Sequence, residues 1–121
     1  MSSENSAGCD FGESRFSLLD LLTIIIPSRD RGRSLQAAIR QWQPHASALI
    51  VADGSKRPSA GSAARLENVQ YFHDSCGIEA RLALAASRAR TPYAMLQSDD
   101  DIFLPEAVSA SIGFLEENPD Y

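Results

Sequence analysis

Four short apolar runs, each followed by polar residues, alternate along this chain with longer stretches of mixed polarity. The first two, LTIII and LIVA, are uninterrupted, which is typical of strands buried on both faces of a parallel sheet. Strands that alternate with helices form a mostly parallel sheet with helices on both faces. The sequence therefore predicts an α/β fold of this kind. The predicted strands are residues 22–26, 49–52, 69–72 and 93–96.

Apolar residues at helical spacing connect and follow the predicted strands. Ser34 is a candidate cap for the first helix, and Gly77 opens the second, in which Arg81 falls largely outside the apolar face. Pro105 begins the third helix. Residues 56–68 are rich in Ser, Ala, Gly and Arg and predict either a loop or a short helix. The predicted helices span residues 35–42, 78–89 and 105–115.

The length of 121 residues fits one compact domain. Residues 1–17 are rich in serine, glycine and acidic residues and show no period, so we expect a flexible leader there. The domain itself is expected over residues 18–121. Apolar residues make up 44% of the chain and charged residues 22%, which is enough apolar material for a buried core.

Charge and cysteine content exclude several classes of function. A formal net charge of -5 argues against a nucleic-acid partner, because binding a polyanion requires a positive surface. One nucleotide remains compatible, since a metal ion and local arginines can neutralise its diphosphate. Cys9 and Cys76 lack the spacing of a disulfide framework or zinc site, which favours a cytoplasmic location. The longest apolar run, residues 21–27, is too short to be a membrane segment, although a full-length form could be membrane-associated.

Acidic residues follow all four predicted strands, where parallel sheets bind their ligands. The triplet Asp99, Asp100 and Asp101 is the densest group, and adjacent carboxylates repel each other unless solvent, protons or a cation compensates. Because Mg²⁺ and Mn²⁺ prefer carboxylate oxygens and share them with phosphates, Asp99 and Asp101 are candidate ligands of a metal bound to a diphosphate. The alternative is that these acids cap the following helix, but one cap accounts for only one of them.

Three segments occur in an order and at distances that resemble family 2 glycosyltransferases. They are LTIIIPSRDR at residues 22–31, LIVADGS at 49–55 and GIEARLALAASRARTPYAMLQSDDDIFLPEAV at 77–108. The similarity covers about residues 20–121. It implies a Rossmann-like sheet of the GT-A, nucleotide-diphospho-sugar transferase type. Because GT-A domains are usually longer, it also implies a truncated domain, namely the N-terminal portion that binds the nucleotide sugar.

The resemblance implies a nucleotide-binding role at five matching positions. Pro27, Ser28 and Arg29 would line the nucleotide pocket at the end of the first strand. Asp53 would accept a hydrogen bond from the base, with a turn-forming aspartate as the alternative. Arg81 would reach the base or the diphosphate, with a solvated helix arginine as the alternative.

The same resemblance assigns the acidic triplet to the DxD motif of the family. Asp99 and Asp101 would flank the metal, Mg²⁺ or Mn²⁺, and Asp100 would face the sugar or a group behind the metal ligands. The family often has an aspartate where this chain has Gln97 or Ser98. The choice of sugar donor is therefore the part of the function that the resemblance predicts least.

The implied function is transfer of a sugar, with inversion, from a nucleotide-diphosphate sugar to a hydroxyl of a saccharide, lipid or protein acceptor. The general base is expected beyond residue 121, so these residues alone are expected to be inactive. Two alternatives remain: a nucleotidyltransferase on a related fold, and a catalytically silent nucleotide-binding fragment or interaction module. An exposed sheet edge would favour self-association.

Overall fold

The computed structural model describes residues 17–58, 61, 65–101 and 103–121, and four strands and three helices form within them. A short 3-10 helix, Leu18–Leu21, precedes the first strand. The strands are β1 (Leu22–Ser28), β2 (Ala48–Asp53), β3 (Val69–His73) and β4 (Tyr93–Leu96); the helices are α1 (Gly32–Trp42), α2 (Ile78–Arg88) and α3 (Pro105–Glu117). The α/β class predicted from the sequence is confirmed.

The four strands form one parallel sheet in the order β3-β2-β1-β4. The chain adds β2 and β3 on one side of β1 and then crosses back through α2 to place β4 on the other side. Strand order therefore reverses between β1 and β4. In open α/β sheets, the crevice outside the carboxyl ends of the strands at such a reversal is where ligands bind.

Helices cover both faces of the sheet because side chains of a strand point alternately to its two faces. Ile24 and Ile26 of β1 pack with α1 and α3, whereas Ile25 packs with α2. The larger core also contains the fully buried Trp42 at the end of α1. The result is a three-layer arrangement, as predicted.

The start of α1 differs from the sequence-based prediction. The helix begins at Gly32, with Arg31 at the cap position and no side-chain cap hydrogen bond, so the assignment of Ser34 as the cap is wrong. Asp30, with φ of 55°, turns the chain sharply after β1. Its amide donates to Ser55 Oγ over 2.6 Å, and its Oδ1 accepts from the Lys56 amide over 3.0 Å. These two hydrogen bonds clamp the loop after β1 to the loop after β2 and fix the turn at Asp30. The helix therefore begins at Gly32, before the predicted cap at Ser34.

The buried face of α2 also differs from the prediction. Arg81 and Ala85 are its buried residues, although periodicity places Arg81 outside the apolar face. Ile78, predicted to lie on that face, is 52% exposed. Arg81 and Ala85 are four positions apart and share one side of the helix. Glycine at position 54 leaves the space that the arginine side chain fills, as described below.

Two sequence-based predictions involve residues outside the described part of the chain. The leader, residues 1–17, lies there except for Ser17, whose hydroxyl accepts from the Leu19 amide over 3.2 Å and caps the 3-10 helix. The segment 56–68, predicted as loop or short helix, includes residues 59–60 and 62–64, which are also outside it. The domain boundary therefore stays a prediction.

The strands β3 and β4 are the two outer strands of the sheet. Leu96, the last residue of β4, is 56% exposed, and Leu104, which lies near Met95 of the same strand, is 64% exposed, so part of the surface at this edge is apolar. Self-association through the edge stays a prediction. Within the described residues, every helix falls short of the length and apolarity that crossing a bilayer demands.

Candidate functional site

A cleft of about 500 Å³ opens where strand order reverses, between the carboxyl ends of β1 and β4 and the first turns of α2. Ile78, Leu82 and Leu96 form its apolar wall. Most of the site residues predicted from the sequence share the cleft, because the ends of parallel strands meet at one edge of the sheet. These residues are Pro27, Ser28, Arg29, Arg81, Asp99 and Asp101.

Asp99 is the inner carboxylate of the cleft and is only 8% exposed. Its Oδ2 accepts a hydrogen bond from Ser28 Oγ over 2.7 Å, which joins the end of β1 to the acidic segment after β4. Its Oδ1 accepts from Arg31 Nη1 over 3.2 Å. Both carboxylate oxygens are therefore bound to groups that follow or end β1.

Arg31 is a site residue that the sequence analysis missed. Its Nη1 also donates to Asp100 Oδ2 over 2.9 Å, so one nitrogen bridges two carboxylates of the triplet. These hydrogen bonds, that to Asp100 first and that to Asp99 second, raise the pKa of Arg31. The Arg31 guanidinium thus supplies part of the positive charge that offsets the repulsion between the adjacent carboxylates Asp99 and Asp100.

Asp100 is exposed and is not among the residues that line the cleft. Its Oδ1 accepts a hydrogen bond from Ser98 Oγ over 2.6 Å. The Ser98 hydroxyl and then the Arg31 guanidinium stabilise the charged form and hold the pKa of Asp100 below the ordinary aspartate value of 3.8. In this geometry Asp100 tethers the turn, and its contact with the sugar stays a prediction.

Arg31→Gln is expected to raise the pKa of Asp100, because the carboxylate loses its guanidinium partner. A depressed aspartate pKa stabilises the folded state above the unfolded value of about 3.9, and this contribution disappears as pH falls through the lower folded value. An NMR titration of the side-chain carboxyl carbons measures the shift. Asp74 is the control, because its lowered pKa depends first on the Cys76 amide. An Asp100 titration that is identical in both proteins would contradict the role given to Arg31.

Asp101 is exposed, lines the cleft and keeps its carboxylate free of hydrogen bonds and ion pairs with the described residues. The turn is instead held through its backbone, where the Asp101 carbonyl accepts from Gln97 Nε2 over 2.6 Å. The acids do not cap α3 either. The cap position is Leu104, without a side-chain cap hydrogen bond, so the capping alternative is wrong.

Arg81 brings a buried positive charge to the cleft and is only 4% exposed. Its Nη1 donates to the Cys76 carbonyl over 3.1 Å, and its Nε has no partner. No carboxylate of the described residues forms a salt bridge with it. The guanidinium lies against Gly54, where a Cβ atom would stand 2.0 Å from Nη1. The Asp74 carboxylate interacts with Arg81 through its charge but forms no salt bridge with it. Because a buried guanidinium with an unpaired Nε is costly, this arrangement favours an anionic ligand.

Asp53 is fully buried at the end of β2 and does not line the cleft. Its Oδ1 accepts from the Ser55 amide over 2.9 Å, and its Oδ2 accepts from the Tyr71 hydroxyl over 2.5 Å. These bonds hold the Asp-Gly-Ser turn, so the turn-forming interpretation is confirmed. The hydrogen bond between Asp53 and a base stays a prediction.

Whether the carboxylates of the cleft fit a divalent metal depends on whether a diphosphate binds together with it. Among the described residues, no group of three or more His, Cys, Asp or Glu is arranged to hold a metal ion. Mg²⁺ is commonly held by only one or two carboxylates together with substrate phosphates. Asp101 is free for this role, whereas Asp99 would first have to release Arg31. The carboxylates therefore fit a metal bound to a diphosphate and do not form a metal cage alone.

The arrangement combines chemically different walls in one cleft. Arg81 supplies a buried cation, Asp101 a free carboxylate, and Ile78 with Leu96 an apolar surface that is more than half exposed. A nucleoside diphosphate presents matching groups, namely an anionic diphosphate and a flat base. The cleft is therefore suited to a ligand of this class.

Comparison with known proteins agrees with this geometry. The sequence model of the family described as glycosyl transferase family 2 matches residues 23–121, which include the three helices and all residues of the cleft. Searches among curated proteins and among solved structures gave no match. The family match spans most of the chain, and we conclude that the chain belongs to glycosyltransferase family 2.

Proposed function

We propose that this chain binds a nucleotide-diphosphate sugar and that its cleft holds the donor while the sugar is transferred, with inversion, to an acceptor hydroxyl. One observation carries the proposal: two opposite charges without salt bridges in the described part of the chain line the same cleft. They are the buried guanidinium of Arg81 and the carboxylate of Asp101. Membership in the family supports glycosyl transfer as the reaction. We propose a saccharide, a lipid or a protein as the acceptor.

Arg81 is the proposed anchor of the diphosphate. A guanidinium matches phosphate oxygens in geometry and donates charge-assisted hydrogen bonds to them. The Cys76 carbonyl and the surface of Gly54 hold it in place before the ligand binds. A binding group that is already oriented loses little side-chain entropy on association. This supports a contribution from Arg81 to binding in the absence of metal.

Asp101 and Asp99 are the proposed ligands of Mg²⁺ or Mn²⁺, and Asp101 needs no rearrangement. When bound, the cation supplies charge neutralisation to the departing nucleoside diphosphate. Ser28 keeps Asp99 turned towards the cleft through the 2.7 Å hydrogen bond. Asp100 is proposed to approach the sugar only after Arg31 and Ser98 release it.

The remaining walls are assigned to the nucleoside. Pro27 and Ser28 form the floor at the end of β1, and Arg29 stands at the mouth with its side chain 70% exposed. Asp53 is proposed to accept a hydrogen bond from the base. We expect the general base beyond residue 121, so transfer requires more of the domain than these residues.

Asp101→Asn is expected to remove the effect of Mn²⁺ on nucleotide binding. The substitution keeps the size of the side chain but removes its charge, and loss of one charge-assisted contact of about 1.5–3 kcal/mol corresponds to about 10- to 100-fold in affinity. Calorimetric titration with UDP and with GDP, each with and without Mn²⁺, measures the change. Asp120→Asn, an exposed carboxylate after α3, is the matched control and should bind as the wild type does.

The same titrations separate the alternatives. Binding that is unaffected by Asp101→Asn would overturn the metal assignment. Mn²⁺-dependent binding without sugar transfer, measured on a protein that contains the rest of the domain, would favour the silent nucleotide-binding module. Preference for a nucleoside triphosphate over UDP and GDP would favour the nucleotidyltransferase.

A further inference from the structure

A chain of hydrogen bonds runs from the protein's single tryptophan, in the core, to the acidic turn of residues 98–101. Trp42 Nε1 donates to Gln97 Oε1 over 3.2 Å. Gln97 Nε2 donates to the Ser98 carbonyl over 2.9 Å and to the Asp101 carbonyl over 2.6 Å. Trp42 and Gln97 are both fully buried, and the bond between them lies inside the core, whereas the two bonds from Gln97 to the turn are partly buried.

The chemistry of these partners fixes the orientation of the Gln97 amide. The indole N–H is only a donor, so it must meet the amide oxygen, and carbonyls are only acceptors, so they must meet the amide NH₂. Both hydrogens of Nε2 are used. One amide group therefore ties the first and last carbonyls of the turn to the core, while the Asp101 side chain faces the cleft.

Few other side chains could make these contacts. Leucine or methionine would fill the space but donate nothing, and an ionised glutamate would offer only acceptors to two carbonyls. Asparagine is shorter by one methylene. The backbone amide of Gln97 also donates to the Ile25 carbonyl over 2.9 Å, which continues the pairing of β4 with β1 up to the turn. The residue thus links the rigid sheet to the carboxylates.

We propose that Gln97 is a positioning residue, which holds the turn so that the Asp101 carboxylate is presented to the cleft; this inference rests on the proposed function of that cleft. Gln97 itself does not line the cleft. It acts through the backbone of Asp101 and leaves Arg81 untouched. Its loss should therefore weaken the metal-dependent part of nucleotide binding and spare the metal-independent part.

Gln97→Met tests this inference, because methionine has a similar length and no donor. Trp42→Phe is the control: it removes the indole donor and some core packing but leaves both bonds from Gln97 to the turn. Whichever of UDP and GDP binds more tightly to the wild type is the probe, with and without Mn²⁺. In Gln97→Met, we expect Kd with Mn²⁺ to rise about 10-fold, from the loss of two hydrogen bonds, and Kd without Mn²⁺ to stay within about twofold.

Two results would overturn the proposal. One is an equal rise of Kd with and without Mn²⁺ in Gln97→Met, which would indicate general damage to the domain. The other is a loss of Mn²⁺ dependence in Trp42→Phe as large as in Gln97→Met. That result would mean that the turn responds to any change in core packing and is not held specifically by Gln97.

A measurement without ligand separates this proposal from the proposed function. Amide hydrogen exchange of residues 98–101 should be at least about tenfold faster in Gln97→Met than in Trp42→Phe, because only the first variant releases the turn. Unchanged exchange would contradict the role of Gln97, whatever the cleft binds. A wild-type protein that shows no Mn²⁺ effect, combined with faster exchange in Gln97→Met, would refute the metal assignment and leave the anchoring of the turn supported.

Discussion

Gly54→Ala is expected to lower the affinity for a nucleoside diphosphate about 100-fold while the domain stays folded. The new Cβ would stand 2.0 Å from Arg81 Nη1 and 2.3 Å from its Cζ, so the guanidinium must leave its place. Removing one partner of a buried charge pair costs about 2–5 kcal/mol in binding. The group that moves is the end of a flexible side chain, and the cost in folding free energy should stay below about 2 kcal/mol. Calorimetric titration and urea denaturation measure the two effects.

Two further variants make the test of Gly54 specific. Gly77→Ala introduces a Cβ with no heavy atom within 4 Å and should keep wild-type affinity. Arg81→Met removes the guanidinium and should lose as much affinity as Gly54→Ala does. Because both act on one group, the double variant should lose no more than either single one. Wild-type affinity in Gly54→Ala would refute the assignment of Arg81.

Trp42→Ala is expected to have the largest effect on stability, a loss of about 3–5 kcal/mol in the free energy of unfolding. Trp42 is fully buried between α1 and the sheet, and its removal leaves a cavity and deprives Gln97 Oε1 of its donor. Because small domains are stable by only about 5–15 kcal/mol, the variant should be close to unfolding at room temperature.

Urea denaturation followed by circular dichroism measures the loss in Trp42→Ala. Arg40→Ala, an exposed position on the same helix, should change the unfolding free energy by less than about 0.5 kcal/mol. A cost below about 1 kcal/mol in Trp42→Ala would mean that the core closes around the cavity, and it would contradict the central place given to this side chain.

Local pattern was sufficient to predict the elements of the fold. The bounds of β4 and the start of α3 at Pro105 agree with the sequence-based prediction, because a proline and an apolar run are local signals. The start of α1 was missed because the clamp between Asp30 and Ser55 joins two loops that are distant in the sequence. Periodicity also misplaced Arg81, whose burial depends on the absence of a side chain at Gly54.

The candidate site was predictable as far as strand ends define it. Asp99, Asp101 and Ser28 were found because each follows or ends a strand, and the topology of a parallel sheet brings such positions together. Arg31 and Gln97 were not, because their roles depend on β4 lying beside β1. Arg31 has its carboxylate partners 68 and 69 positions away, and no local pattern distinguishes it from Arg29 or Arg33.

The hydrogen bond between Ser28 and Asp99 joins residues that are 71 positions apart in the sequence. The two sides of the cleft therefore come together only when β4 docks beside β1. Contacts of such sequence separation form late, because the chain must close a long loop before they can be made. The nucleotide of the proposed function would therefore bind only to chains in which β4 has docked beside β1. Ligand at a hundredfold excess over Kd should raise the free energy of unfolding by about 2.7 kcal/mol, and the melting temperature rises with it. Thermal shift in the presence of a nucleotide would then report how much of a preparation has β4 in place.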